Sequence, residues 1–332
     1  MIRPEVLRPG RDDDAEAVIA LITACWADYP GCIMDVDGEN PDLRALASHF
    51  AQAGGALWVA EQDGVLVGMV AVRPTAGPLW ELCRMYVAKS QHGTGLAQRL
   101  LATAETHARG QEAKTLELWT DTRFDRAHRF YERSGFVRAG PIRALHDIAN
   151  SLEYHYEKPL SGPSVRPLDA AAASSAARTL GRVLQGCVES GASVSFLPPM
   201  PLETAEAFFR RKATDVAQGN RILLAAWLDG TLAGTVSVDL DTPQNQPHRA
   251  EIQKLLVHPN ARRHGLANDL MAEAERLAAE AGRTLLTLDT RASDAGERLY
   301  RARGWTECGR IPDYSAEADG SLSATVLFYK RV

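Results

Sequence analysis

"VHPNARRHGLANDL", residues 257–270, has a fainter counterpart upstream in "VAKSQHGTGLAQRL", residues 87–100. At an offset of 170 residues the two share Val87/Val257, Gly95/Gly265, Leu96/Leu266, Ala97/Ala267 and Leu100/Leu270. The likeness runs outward from there. "DGVLVG" (63–68) matches "DGTLAG" (229–234), each an Asp-Gly turn between apolar runs that reads as a β-hairpin. "ELCRMYV" (81–87) and "EIQKLLV" (251–257) read as strands that pair Glu81 with Glu251, and "TLELWTD" and "TLLTLDT" follow as further strands. "YERSGF" (131–136) then answers "YRARGW" (300–305), and both halves end on a strand carrying a lysine, Lys158 and Lys330. A period near 170 far exceeds the roughly 20–50 residues of a solenoid unit, so the chain is a duplicated domain. Its 332 residues agree, being more than one core usually holds. The Pro/Gly/Ser stretch Pro159-Leu160-Ser161-Gly162-Pro163-Ser164 is the seam, giving domains over 1–160 and 164–332.

Composition narrows the function classes. Hydrophobic content of 45% and charged content of 24% are ordinary for a globular chain. A formal charge of −5 argues against nucleic acid as a partner, because duplex binding is dominated by basic patches. The start of the chain lacks the apolar core of a signal peptide, and no apolar run approaches the ~18 residues of a membrane span, so a cytoplasmic protein without membrane attachment is expected. Five scattered cysteines without CxxC spacing indicate neither a disulfide framework nor a zinc site, and the nine histidines form no HExxH-like set. No metal is expected.

Each half reads as a strand, two amphipathic helices, a hairpin, a strand, a glycine turn, a long helix, a strand, a short helix and closing strands. In the second half Leu266, Leu270, Ala274 and Leu277 form one apolar helix stripe. The repeated stretch is therefore a strand, a turn and a helix start. Helix amino termini carry N–H groups without intrahelical partners and partial positive charge, so an anion is expected there.

Arg262-Arg263-His264-Gly265-Leu266-Ala267 resembles the (Arg/Gln)-x-x-Gly-x-(Gly/Ala) acyl-CoA-binding motif of the GNAT superfamily of N-acetyltransferases. His92-Gly93-Thr94-Gly95-Leu96-Ala97 is similar, with histidine at the first position. "FDRAHRFYERSGF" and "SDAGERLYRARGW" resemble the family's second CoA-side motif, with Phe124 and Ser293 where asparagine is usual and Gly296 where the first half keeps Ala127. The resemblance implies an α/β fold of two tandem GNAT-like domains, each a mixed central β-sheet flanked by helices, paired as an intramolecular pseudo-dimer. It implies acetyl-CoA as co-substrate, held in the second half by Leu256, Val257 and residues 262–267, and in the first by Tyr86, Val87 and residues 92–97. "SFLPPM" (195–200), "NQPHRAEIQKLLVHP" (245–259) and the ending "VLFYKRV" more narrowly resemble the tabtoxin-resistance type, which acetylates a small amino compound.

The chemistry so implied is direct attack of an amine on a thioester. Free alkyl amines have reference pKa values near 10 and are mostly protonated at pH 7, so a base is required. Glu251 or Asp289 would serve in the second half, Glu81 or Asp121 in the first; Tyr300 and Tyr131 stand where the resemblance puts the proton donor to the departing thiolate. Other readings stay open at single positions. Glu81 and Glu251 also fit solvated strand carboxylates, Tyr131 and Tyr300 fit core residues, and Cys83 beside Glu81 admits an acyl-cysteine route. Trp26, Asp28, Tyr29 and Asp35, and in the second half Phe196, Leu197 and Met200, are the expected acceptor-selecting residues. The alternative for the whole is that one half is a noncatalytic CoA- or ligand-binding scaffold module, with His92 as its mark, since an imidazole partners phosphate less well than arginine at neutral pH.

Overall fold

Each half of the repeat builds one mixed sheet. The computed structural model describes residues 5–332; the first four, at the start of the expected first domain, lie outside the described residues. One unit comprises the described residues up to Tyr131 together with Arg138–Ser161, the other Glu132–Val137 together with Gly162–Val332.

The first half runs β1 (Val6–Pro9), α1 (Ala15–Trp26), α2 (Leu46–Gln52), β2 (Ala56–Gln62), β3 (Val65–Ala76), β4 (Leu79–Val87), α3 (Leu96–Gly110), β5 (Thr115–Asp121), α4 (Asp125–Arg133), β6 (Val137–Arg138), β7 (Arg143–Ala144) and β8 (Leu152–Pro159). Its strands lie in the order β1-β2-β3-β4-β5-β8-β6, with β7 beside β8. The second half runs β9 (Pro163–Leu168), α5 (Ala170–Glu189), α6 (Leu202–Ala217), β10 (Arg221–Leu228), β11 (Thr231–Asp239), β12 (Arg249–Val257), α7 (Leu266–Glu280), β13 (Leu285–Arg291), α8 (Ala295–Ala302), β14 (Thr306–Ala316) and β15 (Leu322–Arg331), in the order β14-β15-β13-β12-β11-β10-β9. Both Asp-Gly turns close hairpins, β2–β3 and β10–β11. The seam is shorter than its composition implies: Pro159 ends β8 and Pro163 begins β9, because proline is tolerated at strand termini.

Two faces of each sheet are covered. In the second half Leu266, Leu270, Met271, Ala274 and Ala278 of α7 pack with Val236, Ile252, Leu286 and Leu288 on one face. On the other, Leu180, Leu184 and Phe209 of α5 and α6 pack with Leu223, Ala225 and Leu256. Burying each such leucine contributes about 1.5–3 kcal/mol, so the long helices are held by this stripe more than by propensity. The first half repeats the plan, with Ile22, Leu43 and Phe50 against Val59, Met69 and Ala71 on one face, and Leu96, Leu100 and Ala104 of α3 likewise buried.

The terminal lysines have a structural duty in both halves. Lys158 of β8 reaches Glu105 of α3 at 2.5 Å, and Lys330 of β15 reaches Glu275 of α7 at 2.9 Å, so the same ion pair ties the long helix to the closing strand twice.

Candidate functional site

The central strands part at the same place in each half. β4 runs parallel to β5 from Leu79↔Thr115 to Glu81↔Glu117, and β12 parallel to β13 from Arg249↔Leu285 to Glu251↔Thr287; no pairing continues beyond. A β-bulge accompanies each opening. The register of β4 against β3 shifts between Met69 and Ala71, that of β12 against β11 between Thr235 and Ser237, and the bulged strands carry Arg84 at φ 47 and Lys254 at φ 54. A bulge bends its strand and re-aims the side chains that follow. It also breaks the simple alternation that would set Met85 on one face with Glu81 and Cys83. Beyond the opening the two strands no longer pair with each other, and β4 and β12 lead on to the amino termini of α3 and α7.

That amino terminus is built by glycine. Gly95 at φ 86 and Gly265 at φ 83 are the N-caps of α3 and α7, in a left-handed conformation that a side chain would strain. No side chain of the N-cap residue bonds the helix in either case, so backbone donors remain for an anion. The two cradles differ in detail. In the first, the Thr94 hydroxyl accepts from Leu96 N at 3.3 Å and occupies one donor, and burial together with the nearby Arg126 lowers the His92 pKa, leaving it neutral at pH 7. In the second, Arg262 supplies a permanent charge, steadied by Ser190 Oγ at 3.0 Å, and Arg263 lies beside it at φ 69. The second turn thus carries a fixed positive charge where the first carries a neutral imidazole.

The carboxylates differ more. Glu81 receives two hydrogen bonds from Arg73, at 2.9 and 2.7 Å, and Asp121 receives Arg123 at 2.8 and 2.5 Å. Burial opposes ionisation of Asp121, but the Arg123 hydrogen bonds outweigh it and hold the carboxyl below its usual range. Glu251, by contrast, stands opposite Asp239 of β11, and among the described residues no cation or hydrogen-bond donor holds its side chain. Asp289 accepts, among the described residues, only from Thr325 Oγ1, at 3.0 Å.

Glu81, Cys83, Tyr86, Asp121 and Tyr131 meet in one cavity of about 400 Å³ in the first unit, which Trp26 also lines. Each of its four arginines is closed by a carboxylate of the same wall: Arg73–Glu81, Arg84–Asp42, Arg123–Asp121 and Arg143–Glu153, at 2.5–2.9 Å. Sequence reading missed these arginines; Arg73 and Arg123 each lie within eight residues of their partners, the one signal available. Burial pushes the Cys83 thiol far above its ordinary value, so it has little thiolate character and the acyl-cysteine route finds no support. Three expected acceptor residues are otherwise engaged. Asp28 pairs with Lys89 at 3.1 Å, Asp35 caps a turn through Gly38 N, and Met200 is 3% exposed within the α5/α6 core. Tyr29 lies against Phe124 with the rings tilted by 54°, Phe196 packs at the edge of that core, and Leu197 is exposed.

Tyr131 and Tyr300 sit near the ends of α4 and α8. Both rings are 7% exposed, Tyr300 packing against Trp305 and Phe328 with centroids 6.1 and 6.0 Å apart. Burial raises both phenols well above the ordinary value, with Asp294 and Asp289 adding to the effect at Tyr300. Such a phenol stays protonated at pH 7 and donates a hydrogen bond to developing negative charge; full proton transfer to a thiolate, whose reference pKa is about 8.5, is uphill. Glu117, His155 and Glu157 bring ligand-type atoms within 4.8 Å of one another, a grouping the linear spacing hides; His155 lies 2.9 Å from Glu117 and stacks on Trp119.

The sequence matches the model of the acetyltransferase (GNAT) family over residues 18–136 and 193–305. It is similar to the uncharacterized N-acetyltransferase YjgM of Escherichia coli, 33% identical over 100 residues, covering 29% of this chain and 60% of the relative. It is 31% identical over 147 residues to the mycothiol acetyltransferase of Thermobispora bispora, covering 41% of this chain and 47% of the relative. The chain thus spans about half the length of the curated relatives it matches. Among solved structures, yncA from Salmonella typhimurium with its cofactor acetyl-CoA is 16% identical at a TM-score of 0.43, covering 52% of this chain and 94% of that one. No helix among the described residues is long and apolar enough to cross a membrane.

Proposed function

The chain belongs to the GNAT acetyltransferase family, and from that premise we propose that its second half carries the turnover, moving an acetyl group to the amine of a small molecule, while the first half is a ligand-binding module with a weaker CoA cradle. Acetyl-CoA is the co-substrate and supplies the thioester that the amine attacks. Residues 262–267 and the backbone of Leu256 and Val257 would hold it. The observation that carries the reading is the contrast in carboxylates: among the described residues no cation lies within ion-pair distance of Glu251 or Asp289, whereas Arg73 and Arg123 already hold Glu81 and Asp121.

A base must be free to accept a proton, directly or through one water. Glu251, the last residue of β12 paired with β13, and Asp289, at the exposed side of β13, both meet that need. Tyr300, protonated and buried, donates toward the charge that develops on the leaving sulfur. The strand N–H groups where β12 and β13 part would polarise the carbonyl, in the manner of preorganised oxyanion donors.

Thiol release from acetyl-CoA by the full chain, across a panel of small amines, tests this. Release is expected with the wild type, and Glu251→Gln is expected to lower it by roughly 10²-fold, the low end for a general base because Asp289 remains. Equal losses in Glu251→Gln and Glu81→Gln, or a loss in Glu81→Gln alone, would reassign the turnover.

A further inference from the structure

We infer that Lys254 is the acceptor-specificity residue of the second half, binding a carboxylate carried by the amine substrate, so that the acceptors are amino acids or short peptides; this rests on the acetyl-transfer reading of that half. Lys254 sits at the bulge of β12, three residues beyond Glu251, where the strand turns away from β13. Its Nζ donates to Ser195 Oγ at 2.8 Å, and both residues are in the left-handed region, at φ 54 and 68. Non-glycine residues hold that conformation only where their surroundings demand it, and such positions gather at ligand sites.

The equivalent cation in the first half shows what a satisfied bulge looks like. Arg84, also left-handed, is clamped by Asp42 at 2.9 Å and bonded to Asn40, leaving little for a ligand. Lys254 has no carboxylate within ion-pair distance among the described residues. Glu251, Asp289, Lys212 and Arg221 are the charged groups that act on it. The two cations are already neutralised, Lys212 by Asp215 at 3.2 Å and Arg221 by Asp215 and Asp239 at 3.1 and 2.6 Å. What remains is one ammonium on which two carboxylates act from beyond ion-pair distance, neither of them held by another cation among the described residues. Burial weakens the hold of Lys254 on its proton while Asp289 and Glu251 support it, and a ligand carboxylate would complete its coordination. The charge pattern suits a zwitterion, the amine toward Glu251 and Asp289 and the acid toward Lys254.

The test uses the full chain loaded with CoA and a panel of amino acids and dipeptides, each paired with its carboxyl-terminal amide, read by calorimetric binding and, with acetyl-CoA, by thiol release. Acids are expected to bind about 10- to 100-fold more tightly than their amides, the scale of a hydrogen bond to a charged group. Lys254→Met is expected to collapse that preference and Lys254→Arg to keep most of it, which separates lost recognition from lost folding. A wild type that binds no acid more tightly than its amide, or a Lys254→Met variant that keeps the preference, overturns the inference. A Lys254-dependent preference in binding without any thiol release upholds it and overturns the acetyl-transfer reading instead.

Discussion

The two halves keep one backbone plan and differ in what their charges are doing. At Glu81 and Asp121 an arginine already holds the carboxylate; at Glu251 and Asp289 none does. At the bulge the same contrast recurs, Arg84 being clamped by Asp42 while Lys254 is left to a serine. At the cradle the first half offers a neutral imidazole and a donor taken by Thr94, the second a fixed arginine. Duplication thus conserves strand register and helix packing more strictly than the pairing of charges across strands. Since a group engaged in an ion pair is not free for proton transfer or ligand binding, that pairing is what divides the labour.

The largest way to break the comparison is at the tyrosines. Tyr300→Phe removes one hydroxyl and almost no volume, so folding and CoA binding should persist while turnover falls by roughly 10²–10³-fold, the scale of one lost donor to a developing charge. Tyr131→Phe should leave turnover near the wild-type rate, because the first half is assigned no chemistry. Steady-state thiol release alongside CoA binding reads both. Normal turnover in Tyr300→Phe would leave its ring a core residue beside Trp305 and Phe328, and a loss in Tyr131→Phe would return chemistry to the first half.

A second contrast lies in the repeated ion pair. Lys158 is only 5% exposed, and without it Glu105 keeps Arg109 alone; burial lowers the Lys158 pKa, a sign of how much desolvation the pair must offset. Glu275 would keep Arg303 and the Trp305 indole after loss of Lys330. Removing one partner of a buried pair costs about 3–5 kcal/mol, so Lys158→Met is expected to destabilise by about 3 kcal/mol. Lys330→Met should cost about 1 kcal/mol, since the remaining donors satisfy the carboxylate. Urea unfolding followed by tryptophan fluorescence reads the difference, and equal costs would show that the extra donors of Glu275 add nothing.

Much of this plan was legible in the sequence, and the limits of its legibility have a common physical cause. The hairpins, the glycine cradles and the stripe of α7 are local patterns, set by turn chemistry and a 3.6-residue period, and the structure has them where the residues imply. The lysines that end both halves were visible as a repeat, but their duty was not, because Glu105 and Glu275 lie 53 and 55 residues away. The bulges at Arg84 and Lys254 escaped for a related reason: neither residue is a glycine, so nothing local announces φ above zero. Arg84–Asp42 spans 42 residues and Lys254–Ser195 59, and pairings of that kind exist only once the strands are in register.

The smallest expected effect is at the cradle that the sequence already marked as different. Burial and Arg126 depress the His92 pKa, so its imidazole gains charge only below its ordinary value of about 6.5. The protonated form is the one that favours a phosphate ligand, so CoA affinity at the first cradle should rise as pH falls and weaken as pH rises through that depressed pKa. Arginine stays charged throughout, so His92→Arg should remove this contribution and tighten CoA by about tenfold at pH 7.5, as one charge-assisted hydrogen bond would. The measurement needs the second cradle silenced, for which Gly265→Trp serves, a side chain at φ 83 being incompatible with the N-cap. Calorimetry from pH 5.5 to 8 on Gly265→Trp, with and without His92→Arg, gives both slopes on one ligand, so any titration of CoA itself is common to the two. Parallel slopes would mean that His92 does not touch the anion, and absence of binding in both would reduce the first half to a module that holds only what enters its cavity.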